Sequence, residues 1–144
     1  MHLFSLFLLL IQLSVSTAAI KDNFLFTVDL KCQLNKQWVY DVQFHEEDSW
    51  KWNDSIGSRQ IGVSSSTSKR VQVQGILTDD AGHHYEPFVV IHHTCTNNNG
   101  KVKLVARLTE VPIDKKWYQV TFSIDLTERE GAMKQAAQIV NQKW

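Results

Sequence analysis

The sequence predicts an all-β protein, a two-sheet antiparallel β-sandwich of about seven or eight strands, carrying an amphipathic helix at its C-terminal end. Three observations lead there. Apolar residues recur with period two through most of the chain, clusters of turn-forming residues separate these runs at roughly ten-residue spacing, and Cys32 and Cys95, the two cysteines, end two of the runs.

The chain opens on an apolar stretch from Leu3 to Ile11, broken only by Ser5 and extended by Leu13 and Val15. Small residues follow at Ser14, Ser16, Thr17, Ala18 and Ala19. A block of this length with a small-residue exit reads as a secretory signal peptide, residues 1–19. It is short of the roughly 20 apolar residues that span a bilayer. Cleavage after Ala18 or Ala19 leaves about 125 residues, a single-domain size. Residues 20–126 are then the sandwich domain and residues 127–144 a helical tail. No later segment is apolar enough to cross a membrane, so an exported, non-spanning protein is expected.

The first strand places Phe24, Phe26, Val28, Leu30, Cys32 and Leu34 on one face and Leu25, Thr27, Asp29, Lys31 and Gln33 on the other. Asn35-Lys36-Gln37 is short enough for a hairpin. The alternation returns at Trp38, Tyr40, Val42 and Phe44, at Val71 and Val73, at Val102, Leu104, Ala106 and Leu108, and at Tyr118, Val120, Phe122, Ile124 and Leu126. Phe88-Val89-Val90-Ile91 is apolar on both parities and reads as a central strand covered on both sides. Between these runs, the serine-rich segment 57–68 leaves room for a short strand around Ile61 and Val63. Residues 79–82 form a loop or one helical turn, and Asn97-Asn98-Asn99-Gly100 is a strong turn. In the tail, Thr127 and Glu130 fit a capping box. Met133, Ala136, Ala137, Val140 and Trp144 follow at helical spacing, predicting a helix from Glu128 to Gln142.

Fifteen basic and fifteen acidic residues cancel, which removes the basic field that nucleic-acid binding requires. In an oxidising compartment two cysteines usually pair, and a Cys32–Cys95 bridge would close a loop of roughly 60 residues. Two free thiols, or a Cys–His catalytic pair, are the alternatives. The histidine pairs His83-His84 and His92-His93, with His45 elsewhere, supply zinc-type ligands. Neighbours on a strand point to opposite faces, however, so His92 and His93 do not easily share a site. One surface histidine, one internal histidine, and neither metal nor cofactor are expected. Glu46-Glu47-Asp48 and Asp79-Asp80 read as solvated charge, lacking the ligand alternation of a calcium loop. Ser64 to Ser66 lack the setting of a serine nucleophile. Asn53-Asp54-Ser55 is an N-glycosylation acceptor. Trp50 and Trp52, flanking Lys51, are the candidate interaction surface, since exposed aromatics dominate interface energetics. Alternatively, they plug one end of the sandwich.

The order of these pieces resembles the nematode transthyretin-like protein family. Phe26-Thr-Val-Asp-Leu-Lys-Cys32 is similar to that family's opening strand, and Val42-Gln-Phe-His-Glu-Glu-Asp48 to its second strand running into an acidic turn. Asn53-Asp54-Ser55-Ile56 falls at its aspartate-rich loop, and Val71-Gln-Val-Gln-Gly75 at a strand closing on glycine. Glu86-Pro-Phe-Val-Val-Ile-His-His-Thr-Cys95 resembles its proline-aromatic strand ending in His-x-Cys, and Lys101 to Pro112 its following basic strand. Ser66 to Lys69 replace the family's Asp-x-x-Gly turn, and the Asn97–Gly100 turn replaces its next cysteine. The resemblance implies a transthyretin-type sandwich, secretion, and extracellular binding or bridging of a protein, cell-surface or lipid ligand. It implies no shared catalytic residues. The hydroxyisourate hydrolases of the wider superfamily carry a C-terminal Tyr-Arg-Gly-Ser, where this chain has Val140-Asn-Gln-Lys-Trp144. The function expected is therefore non-enzymatic recognition, with no nucleic-acid partner. The rival readings are a small-ligand carrier with a pocket at a homodimer interface, and a hydrolase working through the histidines.

Overall fold

The computed structural model describes residues 21–47, 54–78, 83–114 and 116–142. Among the described residues the regular elements are all strands: β1 (Lys21–Lys31), β2 (Trp38–Glu46), β3 (Asp54–Ser64), β4 (Ser68–Thr78), β5 (His84–Tyr85), β6 (Pro87–His93), β7 (Val102–Arg107), β8 (Val111–Pro112), β9 (Trp117–Asp125), β10 (Gly131–Lys134) and β11 (Gln138–Gln142). The proposed signal peptide lies outside them.

One sheet runs β11-β9-β1-β4, a second runs β10-β7-β6-β2-β3, and β5 pairs with β8. The period-two residues of the two large sheets interleave in one sandwich-like core. Phe24, Phe26, Val28 and Leu30 from β1 and Tyr118, Val120, Phe122 and Ile124 from β9 meet Trp38, Val42 and Phe44 from β2 and Val89 and Ile91 from β6. The Phe26 and Phe44 rings stack across the layer with centroids 4.5 Å apart. Burial of this apolar surface drives the packing, at about 25 cal/mol per Å² removed from water. As expected from its doubly apolar sequence, β6 is the middle strand of its sheet.

Pairing departs from the expected antiparallel pattern. β1 pairs with β4 antiparallel but with β9 parallel, and β10 pairs with β7 parallel. Parallel neighbours need a crossover, and here β2, β3, β6 and β7 of the second sheet lie between β1 and β9 in sequence. The Asn35–Gln37 turn is correspondingly no hairpin, because β1 and β2 lie in different sheets. The serine-rich segment holds an eleven-residue edge strand rather than a short one. Its close approach to β4 depends on two glycines. Gly57, at φ +65°, has no room for a Cβ against the Gln74 carbonyl, and a Cβ on Gly75 would strike the Ile56 side chain.

The C-terminal helix is not present. A left-handed Glu128 (φ 55°) and Gly131 (φ 90°) reverse the chain, and Thr127 donates its hydroxyl and its amide to Asp125 Oδ1, at 2.6 and 3.0 Å. Thr127 therefore closes a turn behind β9 instead of capping a helix. The tail then adds β10 beside β7 and β11 beside β9. Inward-leaning Met133, Ala137 and Ile139 pack on the core. The open edges of β7 and β9 offer a row of backbone hydrogen-bonding groups, which outweighs the helical spacing of a few small apolar residues.

Candidate functional site

Cys32, just beyond β1, and Cys95, just beyond β6, form a disulfide with Cα atoms 5.9 Å apart, inside the range a bridge requires. It joins the two large sheets at the end where the tail begins. Beside it His93 points inward, 1% exposed. Its Nε2 lies 2.8 Å from the Arg129 carbonyl, and its Nδ1 accepts the Cys95 amide at 3.2 Å. Both nitrogens thus have backbone partners, with Nε2–H donating and Nδ1 accepting. Burial pushes the His93 pKa down against the pull of the Arg129 bond, and neighbouring His92 pushes it down further.

His92 faces outward, as strand alternation requires. There it lies 3.9 Å from a carboxylate oxygen of Asp41, which is itself held in a two-bond fork by the Arg59 guanidinium, Nε to Oδ1 at 2.6 Å. Those hydrogen bonds hold the Asp41 carboxyl below its ordinary value. His45 stacks on Phe88, centroids 5.1 Å apart, while His83 and His84 are exposed before β6. The histidine pairs are not brought together, and among the described residues no three His, Cys, Asp or Glu side chains gather as a metal site. Glu47 pairs with Arg107 at the rim of an open cleft of about 610 Å³ whose lining mixes both charges, including Glu86, Glu110 and Lys134. Trp50, Trp52, the Asn53 acceptor and the Asp79-Asp80 pair lie outside the described residues.

Two features escape the sequence reading. The first is a buried polar knot in which Asp22, fully buried, accepts the Tyr85 hydroxyl at 2.7 Å and the Lys116 amide at 2.5 Å. Nearby, Tyr118 donates its hydroxyl to the Pro112 carbonyl at 2.7 Å. Asp22 shares the inward parity of Phe24, a signal that marks it as internal once the strand is extended two residues back.

The second is the outer face of the β11-β9-β1-β4 sheet. Register aligns Ile76, Asn23 and Trp117 in one row, and Gln74, Leu25, Gln119 and Val140 in the next. Gln72, Thr27, Thr121 and Gln138 form a third row. None of these residues is ionisable. Ordinary strand spacing and rise make the patch roughly 14 Å by 13 Å. Gln72 donates to the Thr27 hydroxyl at 3.2 Å, whereas Asn23, Gln74 and Gln138 are exposed and Trp117 is half-buried. Charge borders the three rows at both margins: exposed Lys21 lies opposite Thr78 beyond the first row, and beyond the third Arg70 grips Asp29 through two bonds of 2.8 and 2.9 Å. At the first-row end an open depression of about 470 Å³ is lined by Trp117, Asn23, Gln74, Ile76, Gly57 and Gly75.

These features define an all-β, disulfide-tied, sandwich-like protein. The family model described as Caenorhabditis elegans protein of unknown function (DUF870) matches residues 27–138, and the chain belongs to that family. No curated protein matches it. A solved structure from Bacteroides ovatus ATCC 8483, described as a "putative cell adhesion protein", is 7% identical with a TM-score of 0.26. The match covers 87% of this chain and 44% of that one, so this chain spans less than half of the Bacteroides chain. A likeness at that level carries no argument about fold or function.

Proposed function

We propose that the protein is an exported, non-catalytic recognition module of the transthyretin-like kind, binding an extracellular ligand through the outer face of its four-stranded sheet. The observation that carries this reading is that face itself. Three successive rows of uncharged side chains make it up, with Asn23, Gln74, Ile76, Gln138 and Val140 exposed, while much of the reactive chemistry elsewhere is already engaged. Asp41 is held by Arg59, His93 by two backbone groups, and both cysteines by each other. Binding surfaces of this sort gain specificity from well-placed polar groups around an aromatic anchor. The disulfide supports export, because such bridges persist in oxidising compartments.

Expression of the full chain in a secretory host tests the proposal. The expected product appears in the medium, oxidised, with a new N-terminus at residue 19 or 20, and is retained saturably on isolated nematode extracellular material. A reduced protein kept inside the cell would overturn the export half. Secretion without any saturable retention would overturn the recognition half.

A further inference from the structure

We infer that the uncharged face binds an extended, neutral, β-linked hexose polymer, with Trp117 as the stacking platform and the flanking amides as hydrogen-bonding partners; this rests on the recognition reading above. Three features of the face point to that ligand class. First, its charge matches a neutral partner: three consecutive rows hold no ionisable side chain, although 21% of the sequence is charged. An anionic phospholipid surface or an acidic peptide would call for a cluster of unpaired cations; Arg70 already forks onto Asp29, and Lys21 stands alone at the opposite margin, outside the three rows. Second, the polar groups are of the right kind. Side-chain amides both donate and accept, and sugar hydroxyls demand both from one partner. Asn23, Gln74, Gln119 and Gln138 present one amide on each of the four strands.

Third, the aromatic group sits where a chain end or a branch can enter. Half-buried Trp117 borders the depression of about 470 Å³, which Gly57 and Gly75 also line. An indole offers a broad apolar face and a polar N–H at its edge, which suits the apolar face and equatorial hydroxyl rim of a pyranose. An ordinary role for Trp117, packing against row neighbours, predicts a different result and is separable by experiment.

The test is sedimentation of the oxidised protein with insoluble cellulose and insoluble chitin, followed by titration with their soluble oligosaccharides. The two polymers share the neutral β-linked backbone and differ in the acetamide groups of chitin, so the pair distinguishes plain from acetamido sugars. Anionic phospholipid vesicles serve as the contrasting probe. The expected result is retention on at least one polymer, insensitive to salt. Trp117→Ala should weaken it by about tenfold or more, and so should the double variant Gln74→Ala/Gln119→Ala, whose thermal melting should stay unchanged. Val63→Thr, on the other sheet, should bind as the parent does. No retention on either polymer overturns the inference, as does retention that the amide double variant leaves intact. A Trp117→Ala that melts early while the amide variant binds normally likewise overturns it, because Trp117 is then a packing residue. Vesicle binding that the face variants abolish would overturn the glycan ligand and leave the recognition proposal standing.

Discussion

The Tyr85 hydroxyl donates to a carboxylate oxygen of Asp22 across 2.7 Å, with both side chains wholly shielded from solvent. The other oxygen of Asp22 accepts the Lys116 amide. One carboxylate therefore ties the start of β1 to the small β5–β8 pair and to the approach to β9. Removing the hydroxyl leaves a buried acceptor short of a partner, which costs about 1–3 kcal/mol. Tyr85→Phe should accordingly lower unfolding stability by that amount in urea titration, with the slope of the transition unchanged.

The disulfide spans a sequence separation of 63 residues. Closing a loop of that length is worth about 4 kcal/mol in the chain-entropy model. The double variant Cys32→Ser/Cys95→Ser should unfold at correspondingly lower denaturant, and the parent should show no alkylatable thiol until reduced. Thiols that react in the folded, unreduced protein would contradict the bridge.

Acid should destabilise the fold in two separate steps. His93 is neutral in the folded protein and its pKa lies below 6.5, chiefly through burial. The unfolded chain therefore takes up this proton first as pH falls. The contribution is complete above about pH 6.5 and is lost progressively below it, through the lower folded value. Asp41 and Asp29 are shifted below 3.8 by the hydrogen bonds of Arg59 and Arg70. Their contribution is present above that value and disappears only in stronger acid. Chemical denaturation midpoints followed from neutrality to strong acid should show both steps, and His93→Asn should flatten the upper one alone.

Most of the core was legible from alternation alone. Phe24 to Leu30, Trp38 to Phe44, Leu104 to Leu108 and Tyr118 to Leu126 all turn their predicted faces inward, because a two-residue period leaves no choice of face once one side is buried. Cys32 and Cys95 pair with each other, as expected of the two cysteines of the chain. The tail reads as a helix because only Met133, Ala137 and Ile139 of residues 131–140 pack on the core, too few and too weakly apolar to announce a strand. Their strand character comes from the edges of β7 and β9, which lie far away in sequence. The neutral outer face was invisible for a related reason: its rows gather residues from four strands, and nothing local marks Asn23, Gln74 and Trp117 as neighbours.

The tail's role as edge cover makes a direct prediction. Ending the chain after Glu130 uncovers the edges of β7 and β9 and removes Met133, Ala137 and Ile139 from the core. The shortened protein should melt earlier and associate with rising concentration in sedimentation velocity, since open strand edges pair with other chains. Circular dichroism of the full chain should show no helical minimum lost on shortening.

The central claim is that the outer face of the four-stranded sheet is the recognition surface. Placing two like charges there, Gln74→Glu/Gln119→Glu, changes exposed or half-exposed side chains and leaves the core alone. The decisive measurement is equilibrium retention of this variant and of the parent on isolated nematode extracellular material, beside their melting curves. The account predicts matching melting curves and retention weakened by about tenfold or more. Retention equal to that of the parent would contradict it.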